Sequence, residues 1–405
     1  MLKKKLDVRE MNEVLQAHEN EYSVKPRVVV STPGRFHLIG EHSWFFRDKT
    51  ISMAVNLPVY IAASCRDDNS LFFNFPQLKE KKRCSLTVLK NKKEDKWANA
   101  LKAVIYGFTS GGFNITGGID FTVYSDILPS AGFGITTAIK VGTALAVRKL
   151  FDIKCSDAEI LQVIERANKR FLQIENHLAD NFTALYSQKG NLLLTNYGKF
   201  SYDSIPFNFE GKKILLIDAK VPRINLWNEE IMQEPENVLL LGELKEHKQN
   251  AYGGWVYEEN PTEVNEVLNV VSEDMRRKLM CIIREHKAVL EARDALITNS
   301  FGKFARYVNF SHESMRDLYE ISCPEIDWIL KRLLEITQNA DDVRNPFGCG
   351  RITGKGFGRC LYAVLPEENV EEFKKKITEF ERIFGFHPVC YEVESSDGAH
   401  VVEQA

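Results

Sequence analysis

A strand, a glycine-rich turn and an apolar helix follow one another at residues 118–151, and no other stretch constrains the fold as strongly. The strand reads "GIDFTVYSDI", the turn "LPSAGFG" and the helix "ITTAIKVGTALAVRKLF". Free backbone N–H groups at a helix start, together with the positive end of the helix dipole, bind anions well. The stretch therefore predicts either a phosphate-binding loop or a tight turn before a core helix. It is not a Walker motif, because no Gly-Lys-Ser/Thr follows.

A second glycine cluster, "GCGRITGKGFGRC" at residues 348–360, precedes another strand pattern. Its glycines allow close backbone approach and unusual dihedral angles. Arg351, Lys355 and Arg359 are expected to make the neighbourhood cationic. Two separate glycine loops in one chain favour an enzyme that handles phosphate groups.

Size and charge narrow the class of protein. A chain of 405 residues exceeds one hydrophobic core, so two domains are expected. The net charge of −3, spread along the chain, gives no electrostatic reason to expect nucleic acid or a membrane as a partner. The eight scattered cysteines lack zinc spacing, and no apolar run is long enough for a membrane span. We therefore expect a cytoplasmic protein with reduced thiols.

Periodicity outlines the secondary structure. Apolar β-branched runs predict strands at 27–31, 53–64, 70–75 and 84–89. Ser156, with Glu159 at the capping-box position, predicts the start of a helix over 156–172. The polar, turn-rich residues 197–260 read as the passage between domains, and the final β-α-β order fits an α+β domain.

Four ordered blocks resemble the galactokinases of the GHMP small-molecule kinase superfamily. They are "STPGRFHLIGEH", "NHLADNFTALYSQKGNLLL", "FGKFARYVNFSHESMRDLYEISCPEID" and "GRITGKGFGRC", and "SSDGA" matches as well. The resemblance implies an α+β, two-domain GHMP kinase fold, with mixed and antiparallel sheets and helices packed on one face. The expected domains are 1–200 and 201–405, with the active site between them.

The resemblance also implies an activity. Such a kinase transfers the γ-phosphate of ATP, with Mg²⁺, to the anomeric C1 hydroxyl of galactose or a related hexose. Its partners would be the sugar and ATP, and it would act as a monomer or weak homodimer. A kinase for another GHMP substrate, such as an amino sugar or mevalonate, is disfavoured by the Ser-His to Cys-Pro-Glu block.

The same resemblance assigns roles to residues. Asp180 matches the catalytic aspartate and Arg35 its partner arginine, whereas the substrate-binding set is Glu41, His42, Trp44 and Asp180. The ATP-binding set is Ala131, Gly132, Phe133, Gly134, Ile135, Thr136, Thr137, Gly354 and Gly356, and Thr136 is also the metal-binding candidate. Simpler interpretations remain open: Asp180 as a helix N-cap, Arg35 as a structural ion-pair partner and His42 as a core histidine.

Two departures from the family fall on the chemistry. Trp44 stands where the family has an aspartate that reads sugar hydroxyls, and an indole can only donate a hydrogen bond. Asn168 replaces the glutamate associated with magnesium, and an amide binds this hard cation less well than a carboxylate. Glu165, one turn earlier, is a conceivable substitute. A catalytically impaired nucleotide- or sugar-binding regulatory protein is therefore the alternative to an active sugar kinase.

Overall fold

The computed structural model describes residues 2–42, 48–125, 132–222, 269, 271–354, 356 and 358–402. The chain forms two compact units that are discontinuous in sequence. The first comprises residues 1–35, 54–189 and 395–405, and the second comprises 36–53 and 190–394. The bounds of 1–200 and 201–405 expected from the sequence stay a prediction about the domains.

The elements are numbered in chain order. The strands are β1 Val28–Ile39, β2 Lys49–Arg66, β3 Ser70–Phe75, β4 Glu80–Ser85, β5 Gly118–Ser125, β6 Asn191–Asn196, β7 Ser201–Pro206, β8 Lys212–Asp218, β9 Cys349–Ile352, β10 Cys360–Pro366, β11 Val389–Val393 and β12 His400–Val401. The helices are α1 Leu2–Tyr22, α2 Ala98–Ser110, α3 Ile135–Leu150, α4 Asp157–Arg166, α5 Leu178–Tyr186, α6 Glu273–Ile297, α7 Phe301–Asp317, α8 Pro324–Ile336 and α9 Val370–Phe384. Within the described residues, no helix is both long and apolar enough to span a membrane.

A mixed sheet organises the first unit, with the strand order β12-β1-β2-β5-β3-β4. β5 runs antiparallel to β2 and parallel to β3, and it is buried along its whole length. At one edge β12 pairs antiparallel with β1, where Val401 faces Val30. Apolar and polar residues alternate along β5, and its buried polar side chains have partners: the Thr122 hydroxyl lies 3.0 Å from Nδ1 of His18, and Asp120 accepts from Arg66 at 2.9 Å.

The helix start at Ser156 is confirmed and the helical path reaches the predicted end at Leu172, but only its first part is α-helical. The Ser156 hydroxyl accepts the Glu159 backbone N–H at 3.3 Å, and the Glu159 carboxylate accepts the Ser156 N–H at 2.8 Å. α4 stops at Arg166, and a π-helical turn follows over Ala167–Leu172. Because the wider turn adds a residue to the helical repeat, it changes which side chains face the core.

The strand predicted at 84–89 is wrong beyond Ser85. β4 pairs residue by residue with β3 from Glu80 to Ser85, and that ladder ends where β3 begins, at Ser70. Partly buried and exposed positions alternate along β4, which is the period-2 repeat of a strand with one face towards the protein. The apolar residues after it lie in a turn, in which the Leu86 N–H donates to the Asn69 carbonyl at 2.8 Å.

An antiparallel sheet with the order β11-β8-β10-β9 lies in the second unit and confirms the expected α+β pattern. Leu215, Ile217 and Leu361 of this sheet form a core with residues of α6, α8 and α9. A hairpin of β6 and β7 also belongs to this unit, and β6 pairs with the first residues of β2, where Thr195 faces Thr50. Residues 223–268, most of the predicted passage between domains, lie outside the described residues.

Acid is expected to destabilise the first unit through His18 of α1. Its ring nitrogens lie 3.0 Å from the Thr122 hydroxyl and 2.9 Å from that of Ser64, and burial lowers its pKa to about 4. Because the unfolded chain binds this proton at higher pH, stability is complete above the unfolded pKa of about 6.5 and is lost as the pH falls towards 4. The expected loss is at most about 3 kcal/mol, measured by urea unfolding at pH 7 and pH 4.5.

The control separates this histidine from general acid effects. His18→Gln should flatten the pH dependence, whereas His387→Gln should leave it unchanged because the His387 side chain is 85% exposed. Equal pH dependence in wild type and His18→Gln would show that His18 does not carry the effect.

Candidate active site

An ion pair forms the centre of the polar site in the first unit. Arg35 lies on β1, and its Nη2 donates to Oδ2 of Asp180 at 2.5 Å. The two side chains are only 14% and 11% exposed, so neither charge is fully hydrated. The backbone N–H of Arg35 donates to the Phe133 carbonyl at 2.8 Å, which fastens β1 to the glycine loop. The structure thus brings the two predicted catalytic residues together.

The glycine loop takes a left-handed path immediately before α3. Gly132, Phe133 and Gly134 have φ angles of 91°, 49° and 75°. A Cβ on Gly134 would lie 2.6 Å from Cγ of Arg35, so the missing side chain provides the space that the arginine occupies. The loop and the ion pair therefore depend on each other.

The first turns of α3 continue the site. The Thr137 hydroxyl donates to Oδ2 of Asp180 at 3.3 Å, the oxygen that also accepts from Arg35. The neighbouring Thr136 is exposed and Ile135 is buried at the helix start. The side chain of Thr137, a predicted loop residue, thus contacts the predicted base.

Asp180 itself lies in the first turn of α5. The N-cap of this helix is His177, so the interpretation of Asp180 as an N-cap is wrong. Asp180 is buried, and a carboxylate in the first helical turn is stabilised by the positive end of the helix dipole. The helix and the arginine therefore both favour the ionised carboxylate.

A buried cluster around Asn168 was not foreseen. Nζ of Lys140 donates to Oδ1 of Asn168 at 2.7 Å, and the Asn168 amide N–H donates to Oδ1 of Asn176 at 2.8 Å. Asn181 donates to the same Asn176 oxygen at 2.9 Å. Lys140 is 4% exposed and Asn168 is 2% exposed. Burial lowers the pKa of Lys140 to about 8, and the nearby Asp180 carboxylate partly opposes this. The available signal was a single lysine in an otherwise apolar stretch of α3.

The side chains around Asn168 do not suit a magnesium ion. The carbonyl oxygen of Asn168, the atom that could coordinate a cation, already accepts from the Lys140 ammonium. The half-exposed carboxylate of Glu165 pairs with Lys169 at 2.8 Å. Among the described residues, no group of three or more histidine, cysteine, aspartate or glutamate side chains is arranged to hold a metal.

A second polar cluster lies in the second unit around Arg351, which is fully buried. Its guanidinium donates to Glu41 at 2.7 Å, to Glu285 at 3.0 Å and to the Ser311 hydroxyl at 2.7 Å. Glu285 also accepts the Gly40 N–H at 2.8 Å. Burial raises the pKa of Glu41, but the charge of Arg351, the nearby His42 and His37 and the Arg351 hydrogen bond together hold it below its usual value.

This pairing corrects one expectation about the second glycine loop. Arg351 does not make the loop cationic, because two carboxylates accept its hydrogen bonds. Arg359 likewise donates to Asp218 at 3.0 Å. Gly354 and Gly356 have φ angles of 74° and 73°, as turn glycines do.

His42 is buried in the second unit. His42 is 4% exposed, and its ring centroid lies 5.4 Å from that of Tyr319. Trp44, Ala131 and Lys355 lie outside the described residues. The site roles assigned from the sequence stay predictions.

Comparisons with known proteins identify the family. The galactokinase galactose-binding signature matches residues 16–65, and the N-terminal and C-terminal domains of GHMP kinases match 97–188 and 292–382. A Treponema pallidum protein named "Putative galactokinase" is 37% identical over 399 residues, which cover 97% of each chain. The chain belongs to the galactokinase family.

Other galactokinases and solved structures agree with this placement. The galactokinase of Streptococcus thermophilus is 26% identical over 387 residues, covering 92% of this chain and 94% of that one. The crystal structure of Lactococcus lactis galactokinase complexed with galactose has a TM-score of 0.80 at 18% identity, covering 96% and 99% of the two chains. Methanococcus jannaschii mevalonate kinase has a TM-score of 0.63 at 18% identity, covering 92% and 100%. The GHMP kinase fold is confirmed, and membership in this kinase family implies the use of ATP.

Gly134→Ala should destabilise this galactokinase-family chain through contact as well as strain. The left-handed conformation alone costs about 1–2 kcal/mol for a residue with a side chain. At Gly134 the added methyl group also meets Arg35, so the unfolding free energy measured in urea should fall further. Gly211→Ala is the matched control, because Gly211 has φ 67° and open space around it. Equal losses in the two variants would contradict the role assigned to Gly134.

Arg351→Met should destabilise the second unit. It leaves Glu41 and Glu285 without their guanidinium partner, and breaking a buried pair costs about 3–5 kcal/mol. Arg316→Met is the control, because its pair with Asp317 is largely exposed and should contribute less than about 1 kcal/mol. Urea unfolding of both variants measures the difference, and a loss at Arg351 no greater than at Arg316 would contradict the prediction.

Proposed function

We propose that this chain is an ATP-dependent sugar kinase that transfers the γ-phosphate to the C1 hydroxyl of galactose or a related hexose. The observation that supports this most directly is the buried pair of Arg35 and Asp180 beside the glycine loop. Family membership supports a sugar kinase, and the pair supplies the groups that phosphoryl transfer to a hydroxyl needs. Kinases of this kind act mainly by positioning the reactants and stabilising charge.

Asp180 is the proposed general base. It would accept the proton of the sugar hydroxyl as the oxygen attacks the γ-phosphorus and the bond to the ADP leaving group breaks. Arg35 and Thr137 both donate to its Oδ2, which fixes the orientation of the carboxylate. The guanidinium of Arg35 would stabilise the negative charge on the transferring phosphoryl group.

The left-handed loop before α3 is the proposed phosphate site. Residues 131–137 would present backbone N–H groups and the positive helix end to the ATP phosphates. We propose Gly354 and Gly356 as further nucleotide contacts and Glu41, His42 and Trp44 as sugar contacts. In this proposal Arg351 positions Glu41, because the two side chains are hydrogen-bonded at 2.7 Å.

A nucleotide- or sugar-binding regulatory protein is the second candidate. The Lys140–Asn168 hydrogen bond favours it, because the family's magnesium-associated carboxylate is absent from this position. Such a protein would bind its ligands without forming ADP, so turnover separates the two candidates.

Asp180→Asn should lower the rate of sugar-dependent ADP release by about 10²–10⁴-fold, the usual contribution of a positioned base. An amide keeps the shape of the side chain and cannot accept the proton at neutral pH. ADP release is measured by a coupled assay with a panel of hexoses. Asp152→Asn, which changes an exposed aspartate of the same unit, should keep the wild-type rate.

The results divide the candidates clearly. No ADP release from the wild type with any hexose, together with calorimetrically detected ligand binding, would support the regulatory protein. Turnover that is unchanged in Asp180→Asn would overturn the assignment of the base.

A further inference from the structure

Lys140 differs from the other buried lysines of the described chain in its partner. Lys102 is paired with the Asp95 carboxylate at 2.6 Å, and Lys278 with Asp274 at 2.5 Å. The hydrogen bond of Lys140 goes to the neutral amide of Asn168. Burying an ammonium group is costly unless an anion or several acceptors compensate for the lost water. The protein therefore keeps a cation here that its own hydrogen bonds satisfy only in part.

The charges near Asp180 leave a net positive site. Arg35 and Lys140 contribute one positive charge each and Asp180 one negative charge, so the three sum to +1. A carboxylate at position 168 would bring the sum to zero and require an added cation beside a nucleotide. With Asn168 in place, the chain's own side chains provide that cation.

We infer that the ammonium of Lys140, held by Asn168, replaces a bound magnesium ion at this site, so that the chain binds nucleotide phosphates without a divalent cation. The inference rests on the nucleotide-binding part of the proposed function. It goes further, because it assigns the charge that the metal would supply to one side chain of α3.

The placement of Lys140 suits this role. It lies on α3 one turn after Thr137, and side chains three positions apart occupy the same helix face. Thr137 contacts Asp180 from that face, so the ammonium faces the same side as the predicted base. A lysine ammonium has three N–H donors, and among the described residues one of them is taken by Asn168. The remaining donors are suited to phosphate oxygens.

Calorimetric titration of ATP into the full chain tests the inference. In EDTA, the wild-type dissociation constant should lie within about threefold of that in excess Mg²⁺, because the fixed charge is present in both. Lys140→Met should weaken binding in EDTA about 10–100-fold, the equivalent of a lost hydrogen bond to a charged group. Lys169→Met, which removes an exposed lysine next to Asn168, is the matched control and should change the constant less than about twofold.

A second variant tests the exchange directly. In the double variant Lys140→Met, Asn168→Glu, a carboxylate is present and the ammonium is removed, so ATP affinity should become dependent on Mg²⁺. Circular dichroism melting checks that the variants fold. Even if a variant does not fold, the ATP dissociation constants of the wild type in EDTA and in Mg²⁺ decide the test.

Each outcome has a distinct meaning. Wild-type binding that requires Mg²⁺, or a Lys140→Met variant that binds ATP as tightly as the wild type in EDTA, overturns the inference. The proposed kinase activity is then tested separately by the ADP-release assay of Asp180→Asn. Absence of ATP binding under both conditions overturns both proposals.

Discussion

The hydrogen-bonded pair of Arg35 and Asp180 is the interaction on which the rest of the site depends. One partner comes from β1 and the other from the first turn of α5, and both side chains are mostly buried. Removing either partner would leave a buried charge, so the two elements must keep their spacing. The loop before α3 helps to keep Arg35 in place. The Phe133 carbonyl accepts the Arg35 backbone N–H, and Gly134 leaves room for the Arg35 side chain.

Local patterns predicted much of this arrangement. β5 and α3 follow from alternating and helical spacing of apolar residues, because neighbouring residues determine both patterns. The capping box at Ser156 is also local, and it has the expected hydrogen bonds. The pairing of Arg35 with Asp180 could not be predicted from local patterns. Its partners are 145 positions apart, so the resemblance to a family supplied it.

What the sequence left open depends on long-range packing. The π turn at Ala167–Leu172 interrupts a helical repeat that continues in the sequence, and it is this turn that contains Asn168. Composition does not identify the partners of Lys140 and Arg351. A lysine or arginine in a sequence looks the same whether its side chain lies in solvent or against buried partners. Arg351 meets Glu285 across 66 positions of sequence. Burial of charge is thus the property that single-sequence reasoning predicted least well here.

The discontinuous units have a consequence for how a new chain acquires its structure during synthesis. Residues 36–53 emerge early, but the Gly40 N–H finds its partner Glu285 only after 245 further positions have been translated. The separation along the chain is larger still between β1 and β12, because Val30 pairs with Val401. An unpaired strand edge is a template for aggregation, and non-local pairing is slow. In a nascent chain the edge of β1 at Val30 and Ser31 therefore has no β12 partner until residues 400–401 have left the ribosome, and such an edge is a target for chaperone protection.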